Sequence, residues 1–150
     1  MLTTEVKKYI GQSILCWLAT VSKNGQPNVS PKEIFTHFDE SHIIIANIAS
    51  PKTLKNIRTN PKICVSFIDI LVQKGFQIKG EAIIIEKSHP EFEVLAKPLL
   101  EMTGDKFPFN SIFKIKVEMI KPILAPSYLL YPKETTEKAQ IESAKKAYNL

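Results

Sequence analysis

Turn signals cut residues 14–120 into six apolar runs of strand length, and a helix start interrupts them after the third. Residues 14–21 are almost continuously apolar, and Ser22-Lys23-Asn24-Gly25 follows them. Asn-Gly readily takes the left-handed backbone of a tight hairpin, so residues 27–38 are expected to return as a second strand. Asp39-Glu40-Ser41 makes the next turn, and residues 43–48 form a third strand. Ser50-Pro51 then opens a helix with Leu54 and Ile57 on one face, which Asn60-Pro61 closes. Residues 63–70 and 76–85 read as two further strands across a polar turn carrying Lys74 and Gly75. Residues 112–120 alternate apolar positions with Lys114, Lys116 and Glu118, the pattern of a last, half-buried strand. Six antiparallel strands joined by hairpins predict a mainly β fold, a closed or nearly closed barrel with flanking helices.

The remaining segments supply those helices. Thr4 precedes Val6, Tyr9 and Ile10 at helical spacing, which predicts a short opening helix ending near Gly11. Ser88 with Glu91 has the form of a capping box, and Phe92, Leu95, Leu99 and Leu100 make an amphipathic helix that Pro98 kinks or ends. That helix is expected to lie on the sheet. Residues 103–111, with Gly104, Pro108 and Asn110, form a loop. Residues 134–148 form a C-terminal helix whose few anchors, Ile141, Ala144 and Tyr148, pack on the barrel or on a partner subunit.

At 150 residues the chain is expected to be one domain. No apolar run is long enough to span a bilayer and no leader pattern precedes the first strand, so a soluble, cytoplasmic protein is expected. Cys16 and Cys64 sit singly inside apolar runs, which supports reduced core thiols rather than a disulfide framework or a zinc site. The formal charge is +5, yet Arg58 is the only arginine. Base-edge readout favours the guanidinium fork, so sequence-specific nucleic-acid recognition is disfavoured. Residues 50–79 hold Lys52, Lys55, Arg58, Lys62, Lys74 and Lys79 against Asp69 alone. Such a stretch is either a field that suits an anionic ligand or a solvated face.

Ser50-Pro51-Lys52-Thr53 carries the chemistry. A capping hydroxyl, a proline at the first helical position, an ammonium and a second hydroxyl surround amides that lack helical partners, which is what a phosphate group needs. The plain alternative is a cap and nothing more. His37 and His42 flank a turn with no third ligand at a defined spacing and read as surface histidines, as does His89. Glu81 and Glu86 are separated by an odd step on one strand, which disfavours a shared acid–base site. No nucleophile elbow, Walker loop, dinucleotide fingerprint or zinc-protease motif occurs.

From about residue 15 to residue 82 the chain resembles the pyridoxamine 5'-phosphate oxidase-like FMN-binding split β-barrels. The resemblance rests on Asn24-Gly25-Gln26-Pro27, on Asn28-Val29-Ser30-Pro31-Lys32-Glu33, and on Ile45-Ala46-Asn47-Ile48-Ala49-Ser50-Pro51-Lys52-Thr53. Asn60-Pro61-Lys62-Ile63 and Gly75-Phe76-Gln77-Ile78-Lys79-Gly80 complete it. It implies an FMN phosphate held by Ser50, Lys52 and Thr53, and a ring lying along Pro31, Lys32 and Glu33 with Ala46 and Asn47 beneath. It also implies a homodimer with FMN sites at the interface, where Gln77 and Lys79 arrive from the partner subunit. No catalytic side chain is implied, because the cofactor carries the redox chemistry, and no metal. Ser30 stands where relatives that oxidise pyridoxamine phosphate carry arginine, and the terminal Trp- and Arg-containing segment of those relatives has no counterpart, since Trp17 is the only tryptophan. The expected function is an FMN-dependent oxidoreductase with a small-molecule substrate or electron donor and without that oxidase activity. A non-catalytic flavin, haem or deazaflavin carrier on the same fold is the alternative. A single-stranded nucleic-acid-binding barrel stacking bases on Phe35, Phe38, Phe67 and Phe76 is the third reading.

Overall fold

A computed structural model describes residues 1–150. The elements are α1 (Thr4–Gln12), β1 (Cys16–Val21), β2 (Pro27–Lys32), β3 (Phe35–His37), β4 (His42–Asn47), α2 (Pro51–Thr59), β5 (Lys62–Asp69), β6 (Lys74–Glu86), α3 (Phe92–Thr103), β7 (Ser111–Leu124), α4 (Pro126–Leu130) and α5 (Glu137–Tyr148). All seven strands join one sheet in the order β2-β1-β5-β6-β7-β4-β3, and every pairing is antiparallel. The two edge strands are consecutive in the chain. Glu33 and Ile34 carry it from one edge to the other, so the sheet curls into a split barrel, and the Ala46 N–H donates to the Ile34 carbonyl at 3.0 Å to tether that crossing.

This corrects the strand count from six to seven. Residues 27–38 read as one strand because both halves are extended and partly apolar. The first half bonds to β1 and the second to β4, on opposite sides of the sheet, so the chain must break between them. A second correction concerns the turn before β6. The Asp69 carboxylate accepts the amides of Leu71 at 2.9 Å and Val72 at 3.3 Å, which draws the turn to residues 70–73 with Gln73 at positive φ. Gly75 belongs to β6, where a Cβ would stand 2.0 Å from the Phe67 carbonyl oxygen.

Strand alternation builds two cores. Leu18, Ile43, Ile45, Val65, Ile78 and Phe113 fill the barrel, whereas Ile44, Ala46, Ile85 and Ile112 point outward and are covered by Leu95 and Leu99 of α3. A β4 that is buried on both faces explains why its sequence is apolar without a break. The helix α3 begins at Phe92, not at Ser88: the Glu91 carboxylate accepts from Lys114 Nζ at 2.8 Å instead of closing a capping box. Pro98 neither ends it nor prevents the burial of Leu95 and Leu99, and Gly104 terminates it with φ +55°. The tail packs on its own barrel. Thr136 caps α5, Ala144 is buried, and Ile141 lies against the barrel core. The short α4, which carries no helix signal in the sequence reading, is fixed by Tyr128 Oη donating to the Val72 carbonyl at 2.7 Å. No helix is long and apolar enough to cross a membrane.

Candidate functional site

The start of α2 is docked against the split in the barrel. The Asn56 amide donates to Thr20 Oγ1 at 3.0 Å in a buried pair, which seats the helix on β1. Thr53 is 1% exposed, and its Oγ1 lies 3.3 Å from Ser30 Oγ on β2. The first helical bond runs from the Leu54 N–H to the Ser50 carbonyl at 3.0 Å, so the amides of Lys52 and Thr53 have no helical acceptor. Sequence reasoning made the Ser50 hydroxyl their cap. It is not: Ser50 makes no capping bond, having φ −134° and ψ 63°, and its Oγ accepts from Lys32 Nζ instead.

Lys32 is the unusual residue of this corner. It ends β2, is only 6% exposed, and takes part in none of the ion pairs of the chain. Besides Ser50, its ammonium has the Phe113 ring at 6.0 Å and, opposite in register, Cys16. Burial lowers the Lys32 pKa; burial also pushes the Cys16 thiol up to about 12, so near neutral pH it stays protonated and supplies no counter-charge. A buried cation without a counter-ion costs several kcal/mol, and that cost falls when an anion comes to it.

Beside it opens a cavity of about 300 Å³. Lys32 and Ser50 form its polar end, Pro31, Ile34, Ala46, Ile48 and Phe107 its apolar walls, and Glu33 its rim. Of the residues singled out in the sequence, the fold therefore brings Pro31, Lys32, Glu33, Ala46 and Ser50 into one wall. Thr53 sits just behind them, while Lys52 is exposed at the same helix start. Asn47 flanks the site: its Nδ2 donates to Ser111 Oγ at 2.9 Å and its Oδ1 is buried without a partner. Gln77 and Lys79 lie elsewhere, on the outer face of β6 across from Ser66 and Cys64. Phe107 was missed, because residues 103–111 read only as a loop; the signal was an aromatic side chain between Gly104 and Pro108.

Three further expectations change. Half of the basic residues of 50–79 are paired from outside the stretch, by Arg58–Glu86, Lys62–Glu81, Lys62–Glu118 and Lys74–Glu137, which leaves Lys52, Lys55 and Lys79 without ion pairs. Phe35, Phe67 and Phe76 are buried in the barrel core and Phe38 packs against the second cluster, so none is offered to a nucleobase. His42 bonds Asp39 as a surface residue would, but His37 Nδ1 is buried and unpartnered.

A curled sheet whose edge strands are joined directly, with a helix start facing the joint, is the split barrel of FMN-binding proteins. The chain matches the pyridoxamine 5'-phosphate oxidase family over residues 2–123, and it belongs to that family. HupZ from Group A Streptococcus shares 29% identity with it, covering 80% of this chain and 92% of that one, with a TM-score of 0.69. An FMN-binding protein from Syntrophomonas wolfei subsp. wolfei shares 20% identity over 83% of this chain and 87% of its own, with a TM-score of 0.67. HutZ, the haem storage protein from Vibrio cholerae, shares 20% identity over 82% and 94%, with a TM-score of 0.63. The last two likenesses speak for the fold alone. A search of the curated proteins returns no match.

Proposed function

We propose that the chain is an FMN-binding flavoprotein and an FMN-dependent oxidoreductase acting on a small molecule. The observation that carries this reading is the Lys32 ammonium, buried without a counter-ion and bonded to Ser50 where the α2 amides are free. A phosphate at that corner would meet Lys32, the Ser50 hydroxyl and the amides of Lys52 and Thr53, with the Lys52 ammonium adding charge from solvent. The apolar walls then suit a planar ring, with Pro31 and Glu33 on the β2 side and Ala46 beneath. Bound FMN supplies the two-electron chemistry; the protein positions it and tunes its surroundings.

The same reading makes the protein a homodimer. Across the outer face, Pro31, Trp17, Ser66, Gln77 and Lys121 stand in one row of paired residues, and Val29, Ala19, Cys64, Lys79 and Met119 in the next. Trp17 is 48% exposed, Val29 56% and Met119 58%, so the rows set large apolar side chains open to solvent among the polar Ser66, Gln77, Lys79 and Lys121. A two-fold axis crossing between Trp17 and Ser66 would set the partner's Gln77 over this chain's Pro31, because such an interface is isologous. Gln77 and Lys79 would thereby complete the pocket of the opposite subunit.

The visible absorption spectrum of freshly purified protein is the test. A flavin spectrum that bleaches on adding a reduced nicotinamide and returns in air supports the proposal. A flavin spectrum indifferent to every donor makes the protein a carrier, and a Soret band or a deazaflavin spectrum replaces FMN with another ligand. For haem, the cavity wall offers no histidine, cysteine, methionine or tyrosine to the iron.

A further inference from the structure

Phe107 is the one residue of the loop after α3 that lines the cavity, and it is 52% exposed. The loop is anchored on both sides of it. Thr103 is buried and its Oγ1 donates to the Leu100 carbonyl at 3.2 Å, after which Gly104 and Asp105 reverse the chain with φ of 55° and 63°. Two residues beyond Phe107, Phe109 is buried again and packs against Phe92 with ring centroids 6.2 Å apart. A large aromatic ring is thus held at the cavity between two fixed points while contributing little to either core. A ring held there is available to pack against an apolar, flat group that enters the cavity.

We infer that Phe107 covers the ring end of the pocket and sets how far a bound isoalloxazine ring is open to solvent and to the second reactant. The inference rests on the FMN reading and adds a specificity-determining residue to it. Lys32 and Ser50 offer the anionic contacts, and Phe107, which lines the same cavity from a separate loop and is half in water, is the side chain that a reactant approaching the ring from solvent is expected to meet.

The test compares iodide quenching of the flavin emission, alongside FMN titrations, for the wild-type protein, Phe107→Ala and Phe107→Trp. Phe107→Ala is expected to raise the quenching constant of the bound flavin at least twofold and to weaken FMN binding about three- to tenfold, the range of one aromatic contact. Phe107→Trp is expected to return the quenching constant to the wild-type value. The ligand-free melting temperature should stay put in both, since the side chain is half in water. The quenching constant decides: wild-type protein that binds FMN while Phe107→Ala quenches no more readily overturns this inference and leaves the FMN reading intact. Wild-type protein that takes up no FMN overturns both.

Discussion

The outer face of the barrel has two halves that both carry large apolar side chains and meet opposite fates. Over β4, the first part of β7 and the end of β6, the outward residues Ile44, Ala46, Ile112 and Ile85 are at most 3% exposed because α3 lies on them. Over β2, β1 and β5, with the facing parts of β6 and β7, the outward residues Trp17, Val29 and Met119 are about half in water. Both halves arise from the same alternation along the strands. The covered half has the helix inserted between β6 and β7 for its lid, whereas the other half receives none from its own chain. Under the homodimer proposed above, this half would be the face that a second copy covers.

The sharpest break in the comparison is expected from substitutions on each half. Leu95→Ala removes a fully buried side chain of α3 and should cost about 2–5 kcal/mol in urea unfolding. Trp17→Glu, on the bare half, should leave the monomer folded and halve the mass measured by sedimentation. An unchanged mass would mean that the bare half is not the interface between copies. Next in size is Lys32→Met. Losing a charge-assisted contact of about 1.5–3 kcal/mol should weaken FMN binding about ten- to a hundredfold. Removing an uncompensated buried cation should also raise the melting temperature of the ligand-free protein. Opposite signs in binding and stability are what separate a functional lysine from a structural one.

The pH dependence of FMN affinity follows from the same residue. Affinity should rise as the phosphate loses its second proton near about pH 6. It should then fall on the alkaline side as Lys32 deprotonates, earlier than an ordinary lysine would, because burial lowers its pKa. The ligand-free protein has the reverse trend: a lysine whose pKa is depressed on folding destabilises the fold while charged, so its contribution improves as pH rises through the folded value. Lys32→Met should abolish the alkaline fall, and a fall that persists in that variant would place the titrating group elsewhere.

Much of this geometry was legible in the residues. The hairpin at Asn24-Gly25, the continuous apolar run of β4 and the Ser-Pro helix start each declare themselves through local chemistry, and Pro31, Lys32, Ala46 and Ser50 could be placed near one another from the resemblance. What escaped depends on partners distant in sequence. The break at Glu33-Ile34 exists because β2 and β3 bond to different strands. Ser50 looked like a cap because nothing local announces that Lys32 takes its hydroxyl. Ser88 and Glu91 had the form of a capping box, yet Lys114, twenty-three positions from Glu91, claims the carboxylate. Alternation puts Gln77 and Lys79 on the outer face, but no single strand tells which surface is left uncovered.

The smallest effect tests whether the tail belongs to the covered half or the bare one. Lys74 opens β6 and donates to Glu137 at the first turn of α5 at 2.9 Å, and the ammonium also stands over the Tyr128 ring at 4.6 Å. The hydrogen bond to Glu137 raises the Lys74 pKa, and the bond from Lys74 lowers that of Glu137. The pair's stabilisation is therefore present between the two titrations. It is lost as pH falls through the depressed Glu137 value or rises through the elevated Lys74 value. Both groups are partly exposed, so Glu137→Gln should cost no more than about 0.2–1 kcal/mol. That cost should vanish at high salt, where such pairs are screened. If α5 is held to its own barrel by Ala144 and Ile141, the variant should keep the wild-type mass in sedimentation. A variant that dissociates would instead make α5 part of the interface and extend the bare half around the barrel to the tail.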